Sequence, residues 1–214
     1  MALGIGAAAT GARAAEDKWA KEVTELESRL AARHPAPGGL VFAGSSSIRL
    51  WPLDRDFPDF SPLNAGFGGS TLAACTRHAP SLVHAWKPGT VVLYAGDNDL
   101  ANGLGVGEVV RDFYDFAATL QAAVPGCRLL FLSIKPSPSR WSLWPKAQQA
   151  NQRIRNLCDA VGPDRLRFVD VSAPLLGSDG QPDARLYKDD RLHLNDEGYA
   201  RWKNVLRPVL PSPR

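Results

Sequence analysis

The chain has 214 residues, 44% of them hydrophobic, and a formal net charge of +3. That size and composition suit one domain with a substantial core. Lys and Arg are scattered without a basic run, which argues against a nucleic-acid partner, and no apolar run approaches the ~20 residues of a membrane-spanning helix.

The N-terminus reads "MALGIGAAATGARAAED". Ala12-Arg13-Ala14 resembles an A-x-A cleavage site, although the basic segment that opens an export signal is missing. Residues 1–15 are therefore expected to be a flexible leader or a signal-peptide remnant, and 16–214 a single domain. The expected location is periplasmic or secreted, with the cytoplasm as the alternative.

Over 16–33, Trp19, Val23, Leu26 and Leu30 recur at three- and four-residue steps, the pattern of an amphipathic helix. "PAPGG" breaks it. Short apolar runs follow at 40–43, 63–67, 91–95, 129–134 and 166–171, and read as strands. Helical patterns cover 72–86, 108–124, 145–161 and 196–206. An irregular stretch rich in Trp, Pro and Asp joins the first two strands. Cys75, Cys127 and Cys158 have no metal-type spacing and read as buried free thiols.

Alternating strands and helices, with strands that are near-continuous apolar runs, predict a parallel sheet covered on both faces. The expected fold is an α/β/α three-layer sandwich on a five-stranded parallel sheet in flavodoxin-like order. Such sheets bind ligands at the carboxyl ends of their strands, so the residues after each apolar run carry the functional reading. They are Gly44-Ser45-Ser46-Ser47, then "NAGFGGST", then "AGDNDL", then "KPSPSRWSLW", and last "YKDDRLHLNDEGY".

Together these supply a hydroxyl nucleophile, a histidine base, an acid to orient it, and glycine and asparagine amides to hold an oxyanion. Asp190 and His193 are three residues apart. If that loop turns like a helix, the carboxylate reaches the imidazole Nδ1 and fixes its tautomer. Asn195, followed by Asp196 and Glu197, reads as a helix N-cap with an acidic first turn. A lone Asp-x-x-His is otherwise an ordinary surface pair.

The four blocks "AGSSSI", "NAGFGGS", "AGDND" and "DDRLH" resemble, in this order, those of the SGNH branch of the GDSL-type hydrolases. The resemblance implies hydrolysis without metal or organic cofactor. Carried over block by block, it makes Ser46 the nucleophile, His193 the base and Asp190 its orienter. It makes the Ser46 N–H, the Gly69 N–H and the Asn98 side chain the oxyanion hole. The family's Gly-Asp-Ser has Ser45 in place of its aspartate here, as in the branches that read "GSSSI". Ser45 and Ser47 are then expected to be turn and helix-start hydroxyls that satisfy backbone donors.

Rival readings fit less well. The Gly-x-Ser-x-Gly elbow of α/β-hydrolases is absent, because Ile48 follows Ser47. "GLGVGE" and "GFGGST" do not complete a dinucleotide fingerprint after the first strand. Asp97 and Asp99 with Asp189 and Asp190 suggest a metal-dependent phosphoesterase, but bracing of the Asn98 loop explains the first two. His34, His78 and His84 match no motif and read as packing or surface residues. Trp51, Trp141 and Trp144 are candidates either for a pocket wall or for the core. Arg140 is a candidate for an anionic substrate group, with solvent exposure as the default.

The sequence therefore predicts a serine esterase acting on carboxylic esters with short-to-medium acyl groups, with a small-molecule or carbohydrate ester as partner. Carbohydrate deacetylation is one option. The alternatives are a thioesterase or lysophospholipase using the same site, and a non-catalytic binding domain on the same fold.

Overall fold

Five strands, β1 (Leu40–Gly44), β2 (Leu63–Gly66), β3 (Thr90–Tyr94), β4 (Arg128–Leu132) and β5 (Leu166–Val169), form one parallel sheet in the order β2-β1-β3-β4-β5. The computed structural model describes residues 17–212. The expected leader at 1–15 lies outside the described residues. The helices are α1 (Ala20–Ala31), α2 (Ser46–Arg49), α3 (Leu53–Asp56), α4 (Leu72–Leu82), α5 (Asp97–Ala101), α6 (Val106–Ala123), α7 (Trp144–Val161) and α8 (Asp196–Leu206).

Successive strand side chains point to opposite faces of the sheet, and here both faces are covered. Val41 and Ala43 of β1 join the core beneath α1, α4, α6 and α7, with Leu26, Leu72, Phe116 and Ile154 from those helices. Leu40 and Phe42 join a second core beneath α8, with Trp51, Tyr199 and Trp202. The expected three-layer sandwich is the observed one. Trp202 is fully buried, and Trp51 stacks on Tyr199 at 5.4 Å between ring centroids. Cutting such a core aromatic to alanine costs about 3–5 kcal/mol.

Three local expectations differ from the structure. The helix expected over 72–86 ends at Leu82. Val83 leaves helical geometry at φ −127, and a 3-10 turn, His84–Trp86, runs into left-handed Lys87. The irregular stretch between the first two strands contains α2 and α3 and a further 3-10 turn, Pro58–Phe60. Residues expected only as a loop after the third strand form α5. Cys75, Cys127 and Cys158 are buried free thiols. Among the described residues no helix is long and apolar enough to cross a membrane.

Candidate active site

The site begins where β1 ends. Gly44 has φ +135, and a Cβ there would lie 1.9 Å from the Tyr94 carbonyl oxygen of β3. Only glycine lets the two strands approach and turns the chain upward. The Ser45 N–H then donates to that same Tyr94 carbonyl at 2.9 Å, and α2 starts at Ser46. Asn64 of β2 holds α2 by donating to the Ile48 carbonyl at 2.8 Å, and the Tyr199 hydroxyl donates to the Ser47 carbonyl at 2.9 Å.

The three adjacent serines have separate environments. Ser45 and Ser47 are buried. Ser46 lies 2.8 Å by its Oγ from His193 Nε2. The flanking hydroxyls do not satisfy backbone donors as expected. Ser47 Oγ accepts from the buried ammonium of Lys135 at 3.2 Å, and Ser45 Oγ is buried without a partner among the described residues. Both are turned inward, where the nearest polar groups are side chains of the core or none.

His193 Nδ1 is 2.6 Å from Asp190 Oδ2. The carboxylate reaches it by a route other than the helical turn expected. Arg191 adopts a left-handed φ of 55, and Asp190 Oδ1 accepts the backbone N–H groups of Leu192 and His193 at 2.9 Å each. Burial pushes the Asp190 carboxyl up, but the His193 ring and the two amides outweigh it and hold it at about 2. Asn195 caps α8 by accepting from the Gly198 N–H at 3.0 Å, and Asp196 and Glu197 occupy the first turn. The histidine loop is thus fixed to the start of α8, as the sequence pattern predicts.

The expected oxyanion groups lie at the ends of the strands flanking β1. Gly69 follows β2 with φ +64 and faces open space. Its loop is held by α1: Trp19 Nε1 donates to the Gly68 carbonyl at 2.9 Å, and Glu22 Oε1 accepts from the Gly68 N–H at 2.9 Å. Asn98 is in α5, after β3, and its Nδ2 donates to the Ser70 carbonyl at 3.0 Å. The β2 and β3 sides are therefore bonded together across the end of β1.

Behind Asn98 is a polar cluster that sequence reasoning missed. Lys135 is buried, and its Nζ meets Ser47 Oγ, Tyr94 Oη at 3.1 Å and Asp97 Oδ2 at 3.3 Å. Three oxygen acceptors match the three donors of an ammonium. Arg140 is partly exposed, and its guanidinium is engaged within the protein. Its Nη1 donates to Asp97 Oδ2 at 3.2 Å and its Nη2 to Asn98 Oδ1 at 3.0 Å. Burial works against the charge of Asp97, but Lys135 and Arg140 outweigh it and hold that carboxyl below its ordinary value. Burial also lowers Lys135.

The segment after β4 carries both cations and is tied to the histidine loop. The Ser139 N–H donates to the Arg191 carbonyl at 3.1 Å, and Tyr187 Oη donates to the Pro136 carbonyl at 2.5 Å. Of the tryptophans of this segment, Trp144 is in the core and Trp141 is partly buried against it. Trp141 and Trp144 stack at 6.0 Å and pack against the cluster beneath α7, while Trp51 donates to Asp56 inside the other core. His78 packs edge-on against Phe67. Asp97 and Asp99 do brace the Asn98 loop: Asp97 Oδ1 accepts the Asn98 N–H and Asp99 Oδ1 the Leu72 N–H. Among the described residues no group of three or more His, Cys, Asp or Glu is placed to hold a metal ion.

Ser46, His193 and Asp190 thus lie in hydrogen-bond contact at one edge of a parallel α/β sandwich with a flavodoxin-like strand order. A family model of GDSL-like lipases and acylhydrolases matches residues 43–201, and the chain belongs to that family, a family of ester hydrolases. Solved structures similar to it include a Streptococcus pneumonia protein named for platelet activating factor, at TM-score 0.77 and 21% identity over 89% of this chain and 94% of that one. A GDSL-like lipase from Bacteroides thetaiotaomicron has TM-score 0.72 and 20% identity over 88% and 95%. A catalytic mutant of an acetylxylan esterase from Geobacillus stearothermophilus has TM-score 0.59 and 15% identity over 82% and 94%. At these identities the likeness is one of fold. No curated protein matches the sequence.

Proposed function

We propose that the protein is a serine esterase that cleaves carboxylic esters of short-to-medium acyl groups through an acyl-enzyme. The observation that carries this reading is the relay itself, Ser46 Oγ to His193 Nε2 at 2.8 Å and His193 Nδ1 to Asp190 at 2.6 Å. A serine hydroxyl is a weak nucleophile at neutral pH, so a base must take its proton during attack. His193 Nε2 takes it as Ser46 Oγ bonds to the ester carbonyl carbon. Asp190 holds the imidazole and stabilises the imidazolium. The carbonyl oxygen becomes an oxyanion facing the Ser46 and Gly69 N–H groups and the Asn98 Nδ2–H. Collapse breaks the bond to the alcohol, which leaves with the proton from His193. Water, deprotonated by the same nitrogen, then attacks the acyl-Ser46; the Ser46–acyl bond breaks, His193 returns the proton to Ser46 Oγ, and the carboxylic acid is released.

The acetylxylan esterase among the similar structures makes carbohydrate-bound acetate a substrate to try first. A p-nitrophenyl ester series from acetate to palmitate, run beside acetylated xylan, tests the reading. Turnover is expected to peak among the short esters and to vanish in Ser46→Ala. Near-normal hydrolysis by Ser46→Ala, with the fold intact, overturns the assignment.

A further inference from the structure

Asn98 is useful as an oxyanion donor only if its carboxamide faces the right way and keeps an N–H unspent. Two neighbours fix both points. Arg140 Nη2, which can only donate, sits 3.0 Å from Oδ1. The Ser70 carbonyl, which can only accept, sits 3.0 Å from Nδ2. A donor-only group on one atom and an acceptor-only group on the other assign the same amide orientation independently. One Nδ2 hydrogen is taken by Ser70, and the second is left over.

The guanidinium is itself held. Its Nη1 binds Asp97 Oδ2, so one planar fork spans two consecutive residues of α5. Lys135 Nζ binds the same Asp97 oxygen at 3.3 Å and reaches from there to Ser47, the neighbour of Ser46. Arg140 is about a quarter exposed by its side chain, whereas Lys135 is fully enclosed. A cation donating to an amide oxygen draws electron density from the amide and makes its N–H a stronger donor.

We propose that Arg140 is the positioning residue of the oxyanion hole: it locks the Asn98 carboxamide with an Nδ2–H free and polarises that N–H toward the developing oxyanion. Arg140 acts through Asn98 and touches no reacting atom. The proposal rests on the reading of Asn98 given above. Lysine does not replace arginine here, because its ammonium is a point donor and lacks the planar fork that sets one nitrogen on Asp97 and the other on Asn98.

A double-mutant cycle tests it, with p-nitrophenyl acetate turnover as the readout and thermal melts to check folding. Removing an oxyanion donor costs about 10²–10³ in rate, so Asn98→Ala is expected in that range. Arg140→Ala is expected to lower kcat about 10- to 100-fold with KM little changed, as for a loss felt in the transition state. In the Asn98→Ala background the same change is expected to cost under about 3-fold, because its target is gone. Arg140→Gln serves the cycle if the alanine variant misfolds, and Arg140→Lys is expected to recover little of the loss. Equal losses in both backgrounds, wild-type turnover by Arg140→Ala, or a loss confined to KM overturns the Arg140 role and leaves the esterase reading standing. A wild-type protein that neither cleaves esters nor is labelled at Ser46 by a fluorophosphonate overturns both.

Discussion

The Asp190 carboxylate grips His193 with both oxygens. Oδ2 takes the ring at Nδ1 and Oδ1 takes the backbone N–H of the same residue. The acid thus sets the ring's rotation and the path of the chain that carries it. Asp190→Ala is expected to lower kcat about 10⁴-fold, less than His193→Ala, because loss of the orienting acid leaves the base in place. Steady-state kinetics of the two variants checks the ranking. The carboxyl lies at about 2, below its ordinary 3.8, so its contribution to stability is present above pH ~4. The gap in melting temperature between wild type and Asp190→Ala is expected to close as pH falls from 4 to 2.

Asp99 behaves in the opposite sense. It is buried, Oδ1 accepts from the Leu72 N–H, and Oδ2 has no partner among the described residues. Burial pushes its carboxyl up to about 6. Between 3.8 and 6 the folded protein binds the proton and the unfolded chain does not, so stability falls as pH rises through this window. Over the whole window the change amounts to about 3 kcal/mol at most, of which about 1.4 kcal/mol falls between pH 5 and pH 8. Denaturant unfolding at pH 5 and pH 8 is expected to show it in the wild type and not in Asp99→Asn.

Gly44→Ala is expected to destabilise the protein by about 2 kcal/mol or more. The φ of +135 disfavours any side chain, and the added Cβ would meet the Tyr94 carbonyl oxygen at 1.9 Å. Either β1 and β3 part or the turn before Ser46 moves, so activity is lost together with the melting temperature. A stable, fully active Gly44→Ala contradicts this account of the turn.

The loop that presents Gly69 depends on the start of α1, more than 40 residues earlier in the chain. Trp19→Phe keeps the aromatic contact with Phe67 and deletes the Nε1 donor to Gly68. That hydrogen bond contributes about 1 kcal/mol to stability. The expected outcome is a small drop in melting temperature with a several-fold loss of kcat, and a larger loss when Glu22→Gln is added. Unchanged kcat in the double variant would mean that the loop holds its own shape.

What was legible in the sequence follows from the range of the forces involved. Strand and helix patterns are local, and all five strands and the order of layers were readable from them. The edges were less so: only the dihedral angles at Val83 and Lys87 show that the helix starting at Leu72 stops short of Trp86. That Ser46, Asp190 and His193 come into contact was readable because their residue types are tied to chain order in a known pattern. Arg140, Lys135, Trp19 and Glu22 were not, because each acts on a partner about 40 or more residues away that no periodicity marks. The left-handed turn at Arg191 was missed because arginine rarely adopts that conformation.

The bond from Ser139 to Arg191, with Tyr187 on Pro136, makes the stretch after the fourth strand a truss shared by the two halves of the reaction centre. A loop grafted there to reach a longer acyl chain would push the imidazole off the serine as it grew. Space for new specificity lies instead around Gly69, where the backbone already opens onto solvent. An engineer widening this enzyme's diet should build from that side and leave the truss its present length.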